Sequence, residues 1–303
     1  MKFSLLWILF AMITFVDIVS TENVIVFSED KSVSFIVFDD PKKARLAPFL
    51  KSSDEQYRYP AYEPNGSFVF FGYLNLQDAK SHMRYSIAKA NVEDHSINIL
   101  IPSAYSNYER PKLSPDGRFL AFVEYSLDPT TKLSGRLKIF DLGKGIVTKT
   151  LIDAFPLVSP SWSYDSKRLL FVTSKMQMTL FDLTTDNLET FPFSVRSATW
   201  GTDGRIYFIE NKDVPTTIFS MSVADRDKSV FYKRKSDRNT QMGASSSIED
   251  LGGFSPNGKY FLMTGLTQIA GARSRTLEIL DVNEKLLYTL HKGNIIGANW
   301  CFK

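Results

Sequence analysis

From residue 24 onward, apolar and polar residues alternate over short stretches separated by polar turns, the period of half-buried β-strands. Val24–Phe27, Val33–Asp39 and Arg45–Leu50 are predicted as the first three strands. Nothing later in the chain sustains the three-to-four-residue spacing of an amphipathic helix. The start of the chain differs. Met1-Lys2 precedes an apolar run, Phe3–Val16, broken only by Ser4 and Thr14, and Asp17 ends it before Ile18-Val19-Ser20. A cationic start, a short apolar core and a permissive cut describe a secretory leader over 1–20, cleaved before Thr21. The other reading is a retained anchor, but a spanning helix needs about 20 apolar residues.

Within the strand pattern one unit recurs: an aromatic or apolar residue, a Pro/Asp/Asn/Gly turn, then an apolar run. The marker positions are Tyr62, Leu113, Trp162, Trp200, Phe254 and, in a truncated last copy, Trp300, spaced 38 to 54 residues apart. That interval is close to the ~40–50 residues of a four-stranded propeller blade. The turn between the first two strands has a physical logic. Pro presets one turn residue, Asp or Asn tolerates a left-handed backbone, and Gly adopts it without strain. A third strand follows and ends in Asp, as at Asp141, Asp182 and Asp281, where the carboxylate can bond amides of the next turn. Fourth strands are predicted at Ser96–Ile101, Ile146–Ile152 and Leu286–Leu290.

The two ends complement each other. Residues 23–50 supply three strands without an opening strand, and Ile295–Phe302 supplies an opening strand with nothing after it. Joining them predicts an all-β, six-bladed β-propeller over 21–303, a single domain closed by pairing its C-terminal strand with its N-terminal strands. Such closure removes two exposed sheet edges.

Ser114-Pro115-Asp116-Gly117-Arg118 and Ser255-Pro256-Asn257-Gly258-Lys259, each before an aliphatic-aromatic strand, resemble the TolB-like, WD40-like (PD40) repeats of periplasmic propellers. Ser163–Lys167, Gly201–Arg205 and Glu63–Ser67 are degenerate copies. The resemblance extends over the whole mature chain at repeat level. It implies a propeller fold and a periplasmic or secreted location. The Tol-system member of that family carries an N-terminal α/β domain, which is expected to be missing here because few residues separate the leader from the first strand.

Composition narrows the chemistry. With 44% hydrophobic and 23% charged residues, the chain fits neither a disordered nor a polytopic membrane protein. A net charge of +3 is too small to imply nucleic-acid binding by its field alone. The single cysteine, Cys301, excludes an internal disulfide and reads as a structural thiol. His82, His95 and His291 fall in separate stretches, and the turn residues Asp116, Asp165, Asp203 and Asn257 offer one side-chain ligand each where calcium takes about six to eight oxygens. No metal site and no cofactor are therefore expected. Gly143-Lys144-Gly145 reads as a hairpin turn. Asn65-Gly66-Ser67 matches a glycosylation acceptor but sits at the repeat's turn. No catalytic motif is found.

In such a meander one face carries short turns and the other carries the insertions, here Leu74–Lys80, Tyr125–Arg136, Lys233–Asp250 and Gly265–Arg275. Long loops on a rigid scaffold are where recognition resides. Arg58, Arg110 and Arg196 stand just before the innermost strands and are predicted to ring the channel mouth on that face. Tyr59 and Tyr108 accompany them, with Tyr57 and Tyr105 nearby. Guanidinium groups pair with carboxylates and aromatic rings bury area, so the candidate binding residues are Arg58, Arg110, Arg196, Tyr59 and Tyr108. The plainer alternative is that these arginines pair with Glu109 or Asp250, or face water. The basic start of Lys233–Asp250 is open to the same two readings, an anchor for anionic partners or a solvated loop.

The expected function is that of an exported, non-catalytic, monomeric scaffold binding a protein or peptide partner, anionic ones included. No nucleic acid is expected as a partner, and no membrane span after leader cleavage. Two alternatives stay open: a hydrolase or lyase acting on polysaccharide or peptide from the channel mouth, and an accessory domain for a separate catalytic chain.

Overall fold

The computed structural model describes residues 23–77, 84–103, 106–125, 135–154, 159–212, 216–234, 245–269 and 272–301. The expected leader lies outside them. The first sheet holds β1 (Asn23–Glu29), β2 (Ser32–Phe38) and β3 (Arg45–Lys51), and the second holds β4 (Glu55–Tyr62), β5 (Phe68–Asn75), β6 (Ser86–Asn91) and β7 (Ile97–Ile101). The third comprises β8 (Asn107–Leu113), β9 (Phe119–Tyr125), β10 (Gly135–Asp141) and β11 (Ile146–Ala154). Then come β12 (Ser161–Trp162), β13 (Arg168–Val172), β14 (Gln177–Asp182), β15 (Asn187–Trp200), β16 (Ile206–Glu210), β17 (Thr217–Met221) and β18 (Lys228–Lys233), all in one sheet. The last sheet has β19 (Ser245–Phe254), β20 (Tyr260–Ile269), β21 (Ala272–Asp281) and β22 (Leu287–Gly293). The final strand, β23 (Ile295–Trp300), returns to pair antiparallel with β1, Ile25 opposite Trp300 and Ser28 opposite Gly297. Every pairing is antiparallel, and among the described residues the only helical segment is a 3-10 turn at Pro41–Lys43. No helix among them is long and apolar enough to cross a membrane.

The architecture is all-β and propeller-like, but the expectation of six separate blades in a closed ring is corrected. The described strands form four four-stranded sheets and one curled seven-stranded sheet. The cause is β15. Its first part pairs with β14 and its second with β16, so the outer strand of one unit runs straight into the inner strand of the next. The segment Leu188–Trp200 has no Gly, Asn or Asp to stop it, and its Phe, Thr and Val residues favour extended backbone. The strand bends around Pro192, where its register with β14 shifts between Gln177 and Thr179. A second correction concerns Gly265–Arg275, expected as a loop. Gly265 pairs with Thr276 and Ile269 with Ala272, and β19 follows as far as Ser245, so this region is an extended sheet.

Three of the repeat turns are held the same way. The Ser114 hydroxyl donates to Asp116 (2.5 Å) and accepts from the Phe119 amide (2.9 Å), with Gly117 at φ +70°. Ser163 and Asp165, and Ser255 and Asn257, repeat the arrangement. The Asp carboxylates that end third strands cap the following turns as expected: Asp141 accepts from Gly143 and Lys144, and Asp281 from Asn283 and Glu284.

The marker aromatics fill the cores between neighbouring sheets, with Tyr62, Trp162, Trp200, Phe254 and Trp300 all buried. Full burial of such side chains contributes roughly 1.5–3 kcal/mol each. Two indoles also tie inner strands together. Trp162 Nε1 donates to the Lys112 carbonyl (3.0 Å), and Trp300 Nε1 to that of Gly253 (2.9 Å). The equivalent nitrogen of Trp200 is buried without a partner. Cys301 is buried, its amide bonded to the Val24 carbonyl.

Candidate functional site

The strands β4, β8, β12, β15, β19 and β23 contact one another in succession, and five of them carry a register shift. On β4, Tyr59 and Pro60 together oppose Phe71, and on β8, Arg110 and Pro111 together oppose Phe122. On β15, β19 and β23 the extra residues are Arg196, Glu249 and Ile296. A bulge bends its strand and re-aims a side chain. Tyr59, Arg110, Arg196, Glu249 and Ile296 all line one cavity of about 400 Å³. Tyr59 (φ 53°) and Arg110 (φ 57°) occupy the left-handed region directly before proline, a placement that costs on the order of 1–3 kcal/mol and is seen where surrounding structure enforces it.

Arg110 is buried at 5% exposure. Its guanidinium carbon lies 3.8 Å from the Tyr59 ring centre, and it donates to the Tyr59 hydroxyl (2.7 Å) and to Ser159 Oγ (3.3 Å). Arg196 is half-buried and, among the described residues, has no hydrogen bond or ion pair. Across the cavity, Arg275 Nε donates to Glu249 (2.7 Å), while Asp250 accepts from the Ser197 hydroxyl (2.6 Å) and the Leu251 amide (2.9 Å). Three guanidinium groups and two carboxylates thus face one space, and both carboxylates are already held by donors.

Of the expected ring, the structure brings Arg110, Arg196 and Tyr59 to one cavity. All three lie inside their strands rather than before them. Arg58 is elsewhere. It pairs with Glu109 (3.3 Å), which is 3% exposed, and stacks over Tyr85 at 4.4 Å, so the plainer pairing reading holds for this residue. Burial and Glu109 both push the nearby Tyr125 phenol upward. Tyr108 packs edge-on against Phe122 (5.5 Å) and does not line the cavity. Tyr105 and His82 lie outside the described residues, as does the whole of 235–244. His95 packs against Phe49 of β3, and His291 contacts Glu29 and Phe27 of β1.

Glu249 and Arg275 were missed because both sat in segments that read as loops. The signal for them was weak: alternation in Thr264–Gln268 and Thr276–Ile279 only hints that the strands continue.

Strands β8, β12, β15, β19 and β23 also line a smaller cavity of about 90 Å³, bordered by Lys112, Ser161, Trp162, Thr199, Trp200 and Asn299. Burial, with Arg110 pushing the same way, brings the Lys112 ammonium down to about 8, and Asp250 opposes the shift.

The molecule is therefore a propeller-like β-protein with a polar cavity between its inner strands. No protein-family model matches the sequence, and no curated protein matches it. Solved structures do. TolB from Acinetobacter baumannii aligns with a TM-score of 0.64 at 15% identity, covering 92% of this chain and 66% of that one, so the chain spans just under two thirds of that structure's length. A chain of a nidogen/laminin complex aligns at 0.61 with 9% identity over 92% and 98% of the two chains. Puromycin hydrolase aligns at 0.58 with 15% identity, over 88% of this chain and 43% of that one. These likenesses support a TolB-like propeller fold, and the fold is shared by proteins of different activity.

Proposed function

We infer that this protein is an exported, non-catalytic scaffold that captures an acidic peptide or protein segment at the cavity formed by Tyr59, Arg110 and Arg196. The observation that carries this reading is Arg196, a half-buried cation without an ion-pair partner among the described residues, facing the same space as Arg110. An unpaired, partly desolvated guanidinium gains most from a carboxylate that can accept two hydrogen bonds. The volume falls within the ~300–1,000 Å³ of ordinary ligand sites. The resemblance to TolB-like repeats supports export and a protein partner.

The alternative of a glycoside-type or peptide hydrolase asks for a pair of acids of which one holds a proton. Glu249 and Asp250 share the cavity, but the first is paired with Arg275 and the second accepts from Ser197 and Leu251, so both carboxylates are already engaged by donors.

Fluorescence anisotropy with labelled acidic peptides tests the reading. Binding should weaken with added salt and fall by at least about tenfold in an Arg110→Gln/Arg196→Gln double variant. Arg58→Gln should lose much less affinity, because Arg58 serves Glu109. Equal binding by the double variant would refute the proposal.

A further inference from the structure

At the position before each marker aromatic, the inner strands carry Ala61, Lys112, Ser161, Thr199, Gly253 and Asn299. Five of these are small or neutral, and one is a long cation. That residue, Lys112, projects from β8 at the level of the smaller cavity, where Asn299 of β23 also lies. Both side chains are half-buried, and neither has a hydrogen-bond partner among the described residues. The hydroxyls of Ser161 and Thr199 contact each other on the same wall (3.2 Å). Arg110 borders the space above, and the carboxylate bearing on Lys112 is Asp250 of β19, which is already occupied by Ser197 and Leu251. The arrangement concentrates donors and positive charge in a space about the size of one small anion.

We propose that the cavity beside Lys112 is an internal oxyanion site, taking a carboxylate or phosphate group with the Lys112 ammonium as its main ligand and the Asn299 amide as a second. The two tryptophans on its wall, Trp162 and Trp200, make it optically readable. This site does not depend on the capture of acidic segments at the Arg196 level, since its main ligand, Lys112, plays no part in that reading.

Binding also has a proton linkage. An anion favours the charged ammonium that Arg110 and burial disfavour, so affinity must fall as pH rises through the range where Lys112 loses its proton. Among the described residues, Asp250 on the facing strand and Arg110 on the same strand act on it electrostatically.

The experiment titrates the full chain with sodium acetate and, separately, with inorganic phosphate. Tryptophan emission and calorimetry report binding at about pH 7 and about pH 9. A saturable response to either anion is expected, weakened about tenfold at the higher pH. Lys112→Met should abolish it, while Lys42→Met, on the exposed 3-10 turn, should not change it. If Lys112→Met fails to fold by circular dichroism, Lys112→Arg decides, because it should bind with its pH dependence removed. No saturable response in the native protein, the same affinity at both pH values, or full binding by a folded Lys112→Met would each overturn the proposal. A response to acetate alone assigns the site to carboxylates, and a response to phosphate alone to phosphate groups.

Discussion

Trp300 and Trp200 occupy the same place in two repeats, yet only one of them has a partner for its indole nitrogen, and replacing each by phenylalanine should separate them. Both lose part of a buried ring, at about 1–2 kcal/mol each for a partial truncation. Trp300→Phe also deletes the bond to the Gly253 carbonyl (2.9 Å) in a fully buried setting, adding about 1–2 kcal/mol. Trp200→Phe removes a buried donor that had no acceptor, which offsets part of its packing loss. The stack of Arg168 over that ring, at 4.8 Å, can persist on phenylalanine. The net expectation is that Trp300→Phe is less stable than Trp200→Phe by about 2 kcal/mol. With a urea dependence of about 3 kcal/mol per molar, the midpoints should differ by roughly 0.5–1 M. Equilibrium urea unfolding followed by far-ultraviolet circular dichroism reads this directly, with Trp162→Phe as a third member expected to behave like Trp300. Coincident midpoints, or a lower one for Trp200→Phe, would refute the claim that the indole bond, rather than ring burial, sets these positions apart.

Two more outcomes follow from local geometry. A methyl group on Gly297 would lie 2.8 Å from the Tyr59 Cα, so Gly297→Ala should destabilise the protein by about 1–3 kcal/mol and weaken peptide capture by displacing Tyr59; unchanged thermal unfolding would contradict that contact. Lys112, down at about 8 in the folded protein against about 10.4 when unfolded, releases its proton more readily in the native state. Across that window the unfolded chain binds more protons, so stability should rise with pH, and by less in Lys112→Met; parallel profiles for the two proteins would exclude the lysine as the cause.

Much of the strand pattern was legible because each unit repeats a turn with strong local chemistry. Ser114, Asp116 and Gly117 need only one another to close it. Pairing of the chain ends was legible too, since three strands at the start and one at the end are complementary. The sheet count was not. Unit boundaries were read from aromatic markers, and markers say nothing about whether the chain breaks between them, as it fails to do from Asn187 to Trp200. At the site, Arg110 and Tyr59 precede prolines and Arg196 does not, yet all three are bulged, because register is decided by the facing strand. Arg58 lies one residue before Tyr59, and that single step turns it toward Glu109 instead of the cavity.

Sharing β15 between two units also removes a joint. Elsewhere, adjacent sheets meet through side chains such as Arg58 with Glu109 and through isolated backbone contacts such as the Tyr108 amide with the Tyr85 carbonyl or the single bridge of Ala154 with Thr173, and those seams can part without breaking a continuous ladder. The stretch from Trp162 to Lys233 cannot, since its halves are stapled by one continuous run of main chain. Any breathing that admits a ligand must therefore be lopsided, with one rigid wall and a more yielding remainder. Amide exchange should show β14 to β16 opening as a single unit, later than the seams around it.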